Sequence, residues 1–299
     1  IIDNASTDGS VPWIKMNHSN IQCITLSQNF GYASGYNKGL KEVNAEIYCL
    51  LNSDVLVTKN WLPPLLNHFN SNSDTGILQP HILDYNKPTH FEYAGAAGGY
   101  IDSNGFPFCR GRIHSSIEKD FGQYDLPKEV FWASGACFFI RSKIFWNQNG
   151  FDDSFFAHQE EIDLCWRVFN AGFKTMALGA SKVYHVGGAT LGNSPRKVFL
   201  NHRNSLWMLT KNLPPEKFAW RIFRRLCWDG IIGIYYLFNL KLNSSLAIIK
   251  AHFAFYRRFK FLKAKSSISI KKENYFYTRN IILSFIKEKR LIFKDLNRE

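Results

Sequence analysis

Residues 21–54 read IQCITLSQNFGYASGYNKGLKEVNAEIYCLLNSD, and this stretch decides the class of fold. Ile21 to Leu26 is a short apolar run, Ala33 to Val43 has helical spacing, and Ile47 to Leu51 is a second apolar run too short for a helix. Strand, helix and strand in such close succession predict a βαβ unit and an α/β fold with a mainly parallel sheet. The second run ends abruptly in Asn52, Ser53 and Asp54, so three polar groups project from a strand terminus, where open α/β sheets bind ligands.

On the N-terminal side, Ile1-Ile2 reads as the end of a strand. It runs into Asp3-Asn4-Ala5-Ser6-Thr7-Asp8-Gly9-Ser10, small polar residues suited to a ligand crevice. Asp3 there is placed to accept a hydrogen bond from a base N–H or a ribose hydroxyl. The alternative is an Asx-turn in which Asp8 or Ser10 caps the next helix. The chain opens without a methionine or a charged leader, and this abrupt start reads as a truncation that has removed an upstream strand and helix and left a sheet edge open. On the C-terminal side, Val130 to Arg141 and Phe173 to Leu178 extend the sheet. Asp84 to Asp125, rich in Gly, Asn, Pro and aromatics, reads as loops and short strands that shape a pocket.

The chain of 299 residues is 45% hydrophobic, 20% charged and 16% aromatic, which is a globular composition and excludes disorder. Its net charge of +13 is uneven, because basic residues thicken after about residue 196. Nucleic acid, an anionic membrane face or a phosphorylated substrate would each suit that charge. Six cysteines are scattered singly, with no zinc-ligand spacing, and read as buried thiols in a reducing cytoplasm.

Beyond Ser194 the texture changes to aromatic and basic residues at mixed helical spacing. Gly230 to Leu240 falls short of the about 20 apolar residues a membrane span needs. Arg221, Phe223, Arg224, Arg225 and Trp228, and later Phe253, Tyr256, Arg257, Arg258 and Phe261, suit an amphipathic helix in a membrane interface. The plainer alternative is helices packed on the preceding domain with a solvated basic face. The expected organisation is a domain over 1–200 and a helical region over 201–299.

Three further features bear on chemistry. Asp54 is a sensible anchor for a hard divalent cation, since Mg2+ keeps positions for water and phosphate; the alternative is a turn in which Asn52 and Asp54 satisfy their own backbone. Phe155 to Arg167 leads into a helix stopped by Gly172. Ile162, Cys165, Trp166 and Phe169 share its buried face, and Glu160, Glu161 and Asp163 crowd its first turn. The helix dipole alone favours acids there, but clustered carboxylates also raise one another's pKa, which suits a general base. His185 gains interest from Asp54, which supplies only part of a coordination shell.

Taken in order, the segments DNASTDGS from Asp3, NFGYASGYNKG from Asn29, LLNSD ending at Asp54, SGACFFIR from Ser134, GFDDSFF from Gly150, EEIDLCWR from Glu160 and HVGG from His185 resemble family 2 glycosyltransferases, especially the bacterial rhamnosyltransferase-like branch. The resemblance covers roughly residues 1 to 205. It implies a GT-A fold with a C-terminal helical extension, and an inverting transfer from a UDP- or dTDP-sugar to a saccharide or lipid-linked oligosaccharide in cell-surface polysaccharide synthesis. By matched position, Asp3 contacts the nucleotide base, and Asn29, Gly31, Asn37, Asn52 and Ser53 line the donor pocket. Asp54 and His185 hold Mg2+ or Mn2+. Glu161 is the base, with Glu160 and Asp163 orienting it or the acceptor, and Trp132, Ser134 and Gly135 face the acceptor. The implied place of action is the inner face of the cytoplasmic membrane, reached by peripheral contact, with no nucleic-acid partner. The rivals are a glycoside hydrolase built on two carboxylates, a non-catalytic or catalytically impaired nucleotide-sugar or saccharide binder, and a nucleic-acid module resting on charge alone.

Overall fold

The computed structural model describes residues 1–187, 194–264 and 275–296. The chain begins β1 (Ile2–Asp3), α1 (Ser10–Asn17), β2 (Ile24–Thr25), α2 (Gly31–Gly39), β3 (Ile47–Leu51), β4 (Val55–Val57), α3 (Leu62–Ser71) and β5 (Thr75–Asp84). A meander of short strands follows: β6 (Gly99–Asp102), β7 (Pro107–Cys109), β8 (Arg112–Ile113) and β9 (Ser116–Ile117). The chain then returns through β10 (Lys128–Val130), β11 (Cys137–Arg141), α4 (Ser142–Asn147), α5 (Glu160–Asn170) and β12 (Lys174–His185). Three helices, α6 (Pro195–Asn212), α7 (Pro215–Phe238) and α8 (Leu242–Ala264), precede β13 (Phe276–Thr278) and α9 (Ile281–Ile286).

The central sheet has the order β10-β12-β5-β11-β3, with β4 also on β12. Helices flank it, so the fold is α/β as expected, but the expected mainly parallel pairing is corrected. In this sheet β5 and β12 are parallel, whereas β3–β11, β5–β11, β10–β12 and β4–β12 are antiparallel. A helical crossover between adjacent strands enforces parallel pairing. Here the chain leaves β5 through the meander and re-enters from the opposite end, so β11 runs against its neighbours. For the same reason Val130 to Arg141 is not one strand but two, split by the loop 131–136. β5 is buried from Thr75 to Leu83, as expected of a strand covered on both faces.

One contiguous apolar cluster joins Phe138, Phe151 and Trp166 around the sheet to Trp207, Ile222 and Phe255 of α6, α7 and α8. β13 adds to the meander in parallel beside β6. Of the cysteines, Cys109, Cys137 and Cys165 are buried as expected; Cys49, on the edge strand β3, and Cys227, on the outer face of α7, are exposed.

The helices α7 and α8 are apolar on the wrong side for a core. Trp220, Phe223, Ile231, Ile234 and Phe238 form a solvent-facing stripe on α7, and Leu242, Leu246, Ile249, Phe253 and Tyr256 form another on α8. At the turn between them Phe238 and Leu240 are 85% and 87% exposed. Among the described residues no helix is long and apolar enough to cross a membrane.

Candidate functional site

The apolar run of β3 stops at Leu51 because the next residues turn. The Asn52 N–H donates to the Ala136 carbonyl at 3.0 Å, and the Val55 N–H closes on the Asn52 carbonyl at 3.2 Å. This turn carries Asp54 to the end of β12, where the Val186 N–H donates to its backbone carbonyl at 3.1 Å. His185 is the last residue of β12, which runs well past the expected Phe173 to Leu178. Its Nε2 lies 3.2 Å from Asp54 Oδ1, and its Nδ1 lies 3.5 Å from Glu92 Oε1. The other Glu92 oxygen accepts the Ala94 and Gly95 N–H groups at 2.6 and 3.1 Å, which fixes the carboxylate. Burial opposes a charged imidazole, but the Glu92 and Asp54 carboxylates outweigh it and hold the His185 pKa above its ordinary value.

Among the described residues no group of three or more His, Cys, Asp or Glu side chains is arranged to hold a metal ion. The pair Asp54 and His185 nevertheless fits two neighbouring ligands of one cation. Two ligands at about 2.1 Å from a shared octahedral ion lie roughly 3 Å apart. An imidazole whose second nitrogen faces a carboxylate is also the usual way a ligating histidine is oriented. The remaining positions would fall to water and to a phosphate-bearing ligand.

The helix α5 starts from an irregular loop. Phe156, His158 and Gln159 have φ of 67°, 69° and 72°, a region that non-glycine residues seldom occupy. Glu160 is buried and Glu161 partly open, and each has one buried carboxylate oxygen without a hydrogen-bond partner. Burial, and then the neighbouring Glu161, push Glu160 well above the usual carboxylate range. Burial raises Glu161 to about 7, against the pull of backbone N–H groups at the helix start. A carboxyl that titrates near neutrality and keeps a free oxygen can accept a proton from a substrate hydroxyl.

Asp163, expected beside these two, has another employment. It is fully buried, with Lys211 Nζ and Arg167 Nε at 2.8 and 2.9 Å from Oδ2 and the Asn212 amide at 2.9 Å from Oδ1. Burial alone would raise its pKa, but Lys211 and Arg167 outweigh it and hold Asp163 below the ordinary value. Lys211 also reaches Asp152 at 2.8 Å, so one lysine of α6 joins two carboxylates around α5.

The residues expected at the donor pocket are mostly occupied internally. Asp3 accepts the Ser6 N–H at 3.2 and 3.3 Å. Asn29 accepts from the Gly31 N–H and from the Asn4 amide at 2.9 and 3.2 Å. Gly31 has φ 78°, and a Cβ there would meet the Phe156 carbonyl at 2.6 Å, so only glycine lets α2 approach the loop before α5. Asn37 exchanges hydrogen bonds with the Phe151 backbone and donates to Asp153. Asn52 is half-buried and Ser53 exposed at the β3 turn.

Of the three residues expected to face the acceptor, two point inward. Trp132 is buried, its indole N–H donating to the Tyr100 carbonyl at 2.9 Å, with its ring so close to Gly99 that a Cβ there would sit 1.9 Å away. Ser134 is buried and its hydroxyl accepts the Ala136 N–H. Gly135 is half-buried and its carbonyl accepts the Tyr32 hydroxyl at 2.8 Å. Tyr32 lies close enough to Glu160 and Glu161 for their charges to raise its own pKa, after burial. Gly188 of HVGG lies outside the described residues.

A cavity of about 720 Å³ is lined by Tyr93, Lys197, Asn201, Tyr236, Lys241 and Asn243 among others. Tyr93 follows Glu92 in the chain, and the Lys197 charge reaches His158, helping burial to lower its pKa to about 4. Tyr32 lies within the NFGYASGYNKG segment, whereas Glu92, Lys197 and Lys211 have no local signature in the sequence. The one hint is the pair Lys211-Asn212 closing the apolar stretch Leu206 to Thr210, where buried polar residues need partners.

Comparison with known proteins gives a consistent match. The family model described as Glycosyl transferase family 2 matches residues 1–148. The chain is 22% identical over 222 residues to an N-acetylglucosaminyl-diphospho-decaprenol L-rhamnosyltransferase of Mycobacterium tuberculosis, covering 70% of this chain and 72% of that protein. It is 27% identical over 173 residues to the low-salt glycan biosynthesis hexosyltransferase Agl10 of Haloferax volcanii, covering 56% of this chain and 52%, about half, of that protein. Among solved structures, GalNAc-T7 with UDP, GalNAc and Mn2+ superposes with a TM-score of 0.53 at 14% identity, over 69% of this chain and 39% of that one. TarS of S. aureus, residues 1–349, superposes with a TM-score of 0.50 at 12% identity, over 88% of this chain and 77% of that one.

Proposed function

The chain belongs to glycosyl transferase family 2, in its rhamnosyltransferase-like branch, and from that premise we propose that it is a metal-dependent, inverting enzyme acting on a UDP- or dTDP-sugar. Sugar transfer follows from the family itself. The observation that carries the finer reading is the loop 131–136, which ties two chemistries together. Its Ala136 carbonyl holds the Asn52 turn that leads to Asp54 and His185, and its Gly135 carbonyl holds the hydroxyl of Tyr32, whose own N–H meets the Phe156 carbonyl in the loop that leads into Glu160 and Glu161.

Asp54 and His185 are the residues that would hold Mg2+ or Mn2+, which when bound offsets charge on the departing diphosphate. That GalNAc-T7 was solved with UDP and Mn2+ supports the choice of group. Glu161 takes the proton from the attacking acceptor hydroxyl, whose oxygen displaces the nucleoside diphosphate from the opposite face of the anomeric carbon, so configuration inverts. Glu160, buried next to Glu161 in the same turn, orients it or the acceptor. Asp163 acts from behind, as the buried anchor of α5. Asp3, with Asn29, Gly31, Asn37, Asn52 and Ser53, frames the donor.

The acceptor is a saccharide, entering through the cavity of Tyr93, Lys197, Tyr236 and Lys241, with half-buried Gly135 as the more open of the three residues Trp132, Ser134 and Gly135 expected on the acceptor side. A lipid-linked oligosaccharide suits this entrance, because the exposed stripes of α7 and α8, flanked by Lys241, Lys250, Arg257 and Lys260, match an anionic membrane surface. On this reading the protein acts peripherally at the inner face of the cytoplasmic membrane, in surface polysaccharide synthesis, with residues 1–200 as the catalytic domain and 201–299 as the membrane-facing region.

A screen of UDP- and dTDP-sugars for nucleoside diphosphate release, with Mn2+ and with EDTA, tests this. Release from one or a few donors that needs the cation is the expected result. EDTA-insensitive hydrolysis of a glycoside, or no release from any donor, would sink the reading.

A further inference from the structure

We propose that Asn204, on α6, is a positioning residue for the base helix: its buried amide clamps the loop that starts α5 and so aims Glu160 and Glu161. The inference rests on the reading of Glu161 as the base and goes beyond it. The helix α6 lies outside the residues that the family model matches, and nothing in its sequence marks Asn204.

Three left-handed non-glycine residues in the four positions 156–159 will not hold themselves, since each would relax to a commoner conformation if freed. Asn204 is fully buried, and its Nδ2 lies 3.1, 2.8 and 2.7 Å from the carbonyl oxygens of Phe155, Ala157 and His158. With two N–H groups, this amide donates to the two nearer carbonyls, of Ala157 and His158, and shares the longer contact to Phe155, so that three carbonyls of the irregular loop converge on it. Its own oxygen accepts the Arg203 Nε at 2.9 Å, and the same guanidinium donates to the Phe155 carbonyl at 3.0 Å while lying 4.2 Å from the centre of the Trp207 ring. On the opposite side the Phe156 carbonyl accepts the Tyr32 N–H at 2.8 Å. One turn further along α5, Lys211 and Asn212 of the same α6 hold Asp163. The helix α6 thus grips α5 at its entry and again within its first turn, and the two glutamates lie between the grips.

The test uses the full chain and the nucleotide-sugar that gives most diphosphate release, with water as acceptor, in the variants Asn204→Ala, Arg203→Gln and Glu161→Gln. Loosening the loop displaces the carboxyl without touching the donor. Asn204→Ala should therefore lower kcat about a hundredfold, the scale of an ångström-sized misplacement, and leave Mn2+-dependent diphosphate affinity within about twofold. The pH midpoint of kcat should also move, because the carboxyl leaves its buried setting, and a merely structural loss of folded protein would not shift it. Arg203→Gln loosens the same loop from a partly exposed position and should give a smaller fall of the same kind, which keeps the test open if the alanine variant does not fold. Unchanged kcat in the folded variants, or kcat and diphosphate affinity falling together with an unmoved pH midpoint, would overturn the clamp. If Glu161→Gln is inactive while the clamp variants are normal, the clamp alone is wrong; if Glu161→Gln turns over normally, the base assignment fails and takes the clamp with it.

Discussion

Replacing Glu161 by glutamine separates two consequences of its burial, one for rate and one for stability. Only the ionised carboxyl accepts a proton, and burial places its pKa at about 7. Turnover of the native chain should therefore rise with pH to a plateau above 7, and fall about tenfold for each pH unit below. Stability runs the other way. Because the folded pKa is raised above the reference 4.5, the folded protein holds this proton more tightly than the unfolded chain does. The stabilisation is fully present below about pH 4.5 and is lost as the pH rises through 7. The ionised carboxylate then weighs against the fold by up to about 3 kcal/mol, at 1.36 kcal/mol per unit. Glutamine imitates the protonated form at every pH. Glu161→Gln should thus lower kcat by about 10² to 10⁴ at pH 8, yet melt several degrees higher than the native chain there and equally at pH 4. Steady-state rates from pH 5.5 to 8.5, with calorimetric melts at both extremes, measure both effects. A variant within tenfold of native turnover, a native rate flat from pH 6 to 8, or a variant equally destabilised at both pH values would refute the reasoning.

Three further outcomes are expected. Glu92→Gln removes the carboxylate behind His185 and should weaken Mn2+ binding about 10- to 100-fold in a titration followed by electron paramagnetic resonance; unchanged affinity would count against the site. Lys211→Met leaves Asp152 and Asp163 buried without their shared cation, and should cost about 3–5 kcal/mol in denaturant unfolding, whereas a loss under about 1 kcal/mol would contradict the network. Phe238→Glu with Leu240→Glu at the tip of the α7–α8 hairpin should abolish co-sedimentation with anionic phospholipid vesicles at low salt, a result that equal binding by native chain and variant would exclude.

Much of this was legible where the signal is local. β3 spans the expected Ile47 to Leu51, because an apolar run that meets Asn52-Ser53-Asp54 can only end there. The helix α5 begins at Glu160 with Ile162, Cys165 and Trp166 of the expected face buried, while Phe169 near its end is half-buried. What escaped depends on distant partners. The direction of β11 is set by the meander between it and β5, which no window of sequence contains. Trp132 turns inward because Gly99 leaves room for its ring, and Asp163 is occupied because Lys211 arrives from another helix. Glu92 looks like any surface acid until β12 brings His185 beside it.

The central claim is that Asp54 and His185 share a cation that holds the donor diphosphate. Calorimetric titration of UDP and dTDP into the native chain and into Asp54→Asn, with Mn2+ and again with EDTA, tests it most directly. The account predicts binding by the native chain that requires Mn2+ and is lost in Asp54→Asn. Binding of equal strength in EDTA, or undiminished in the variant, would contradict it.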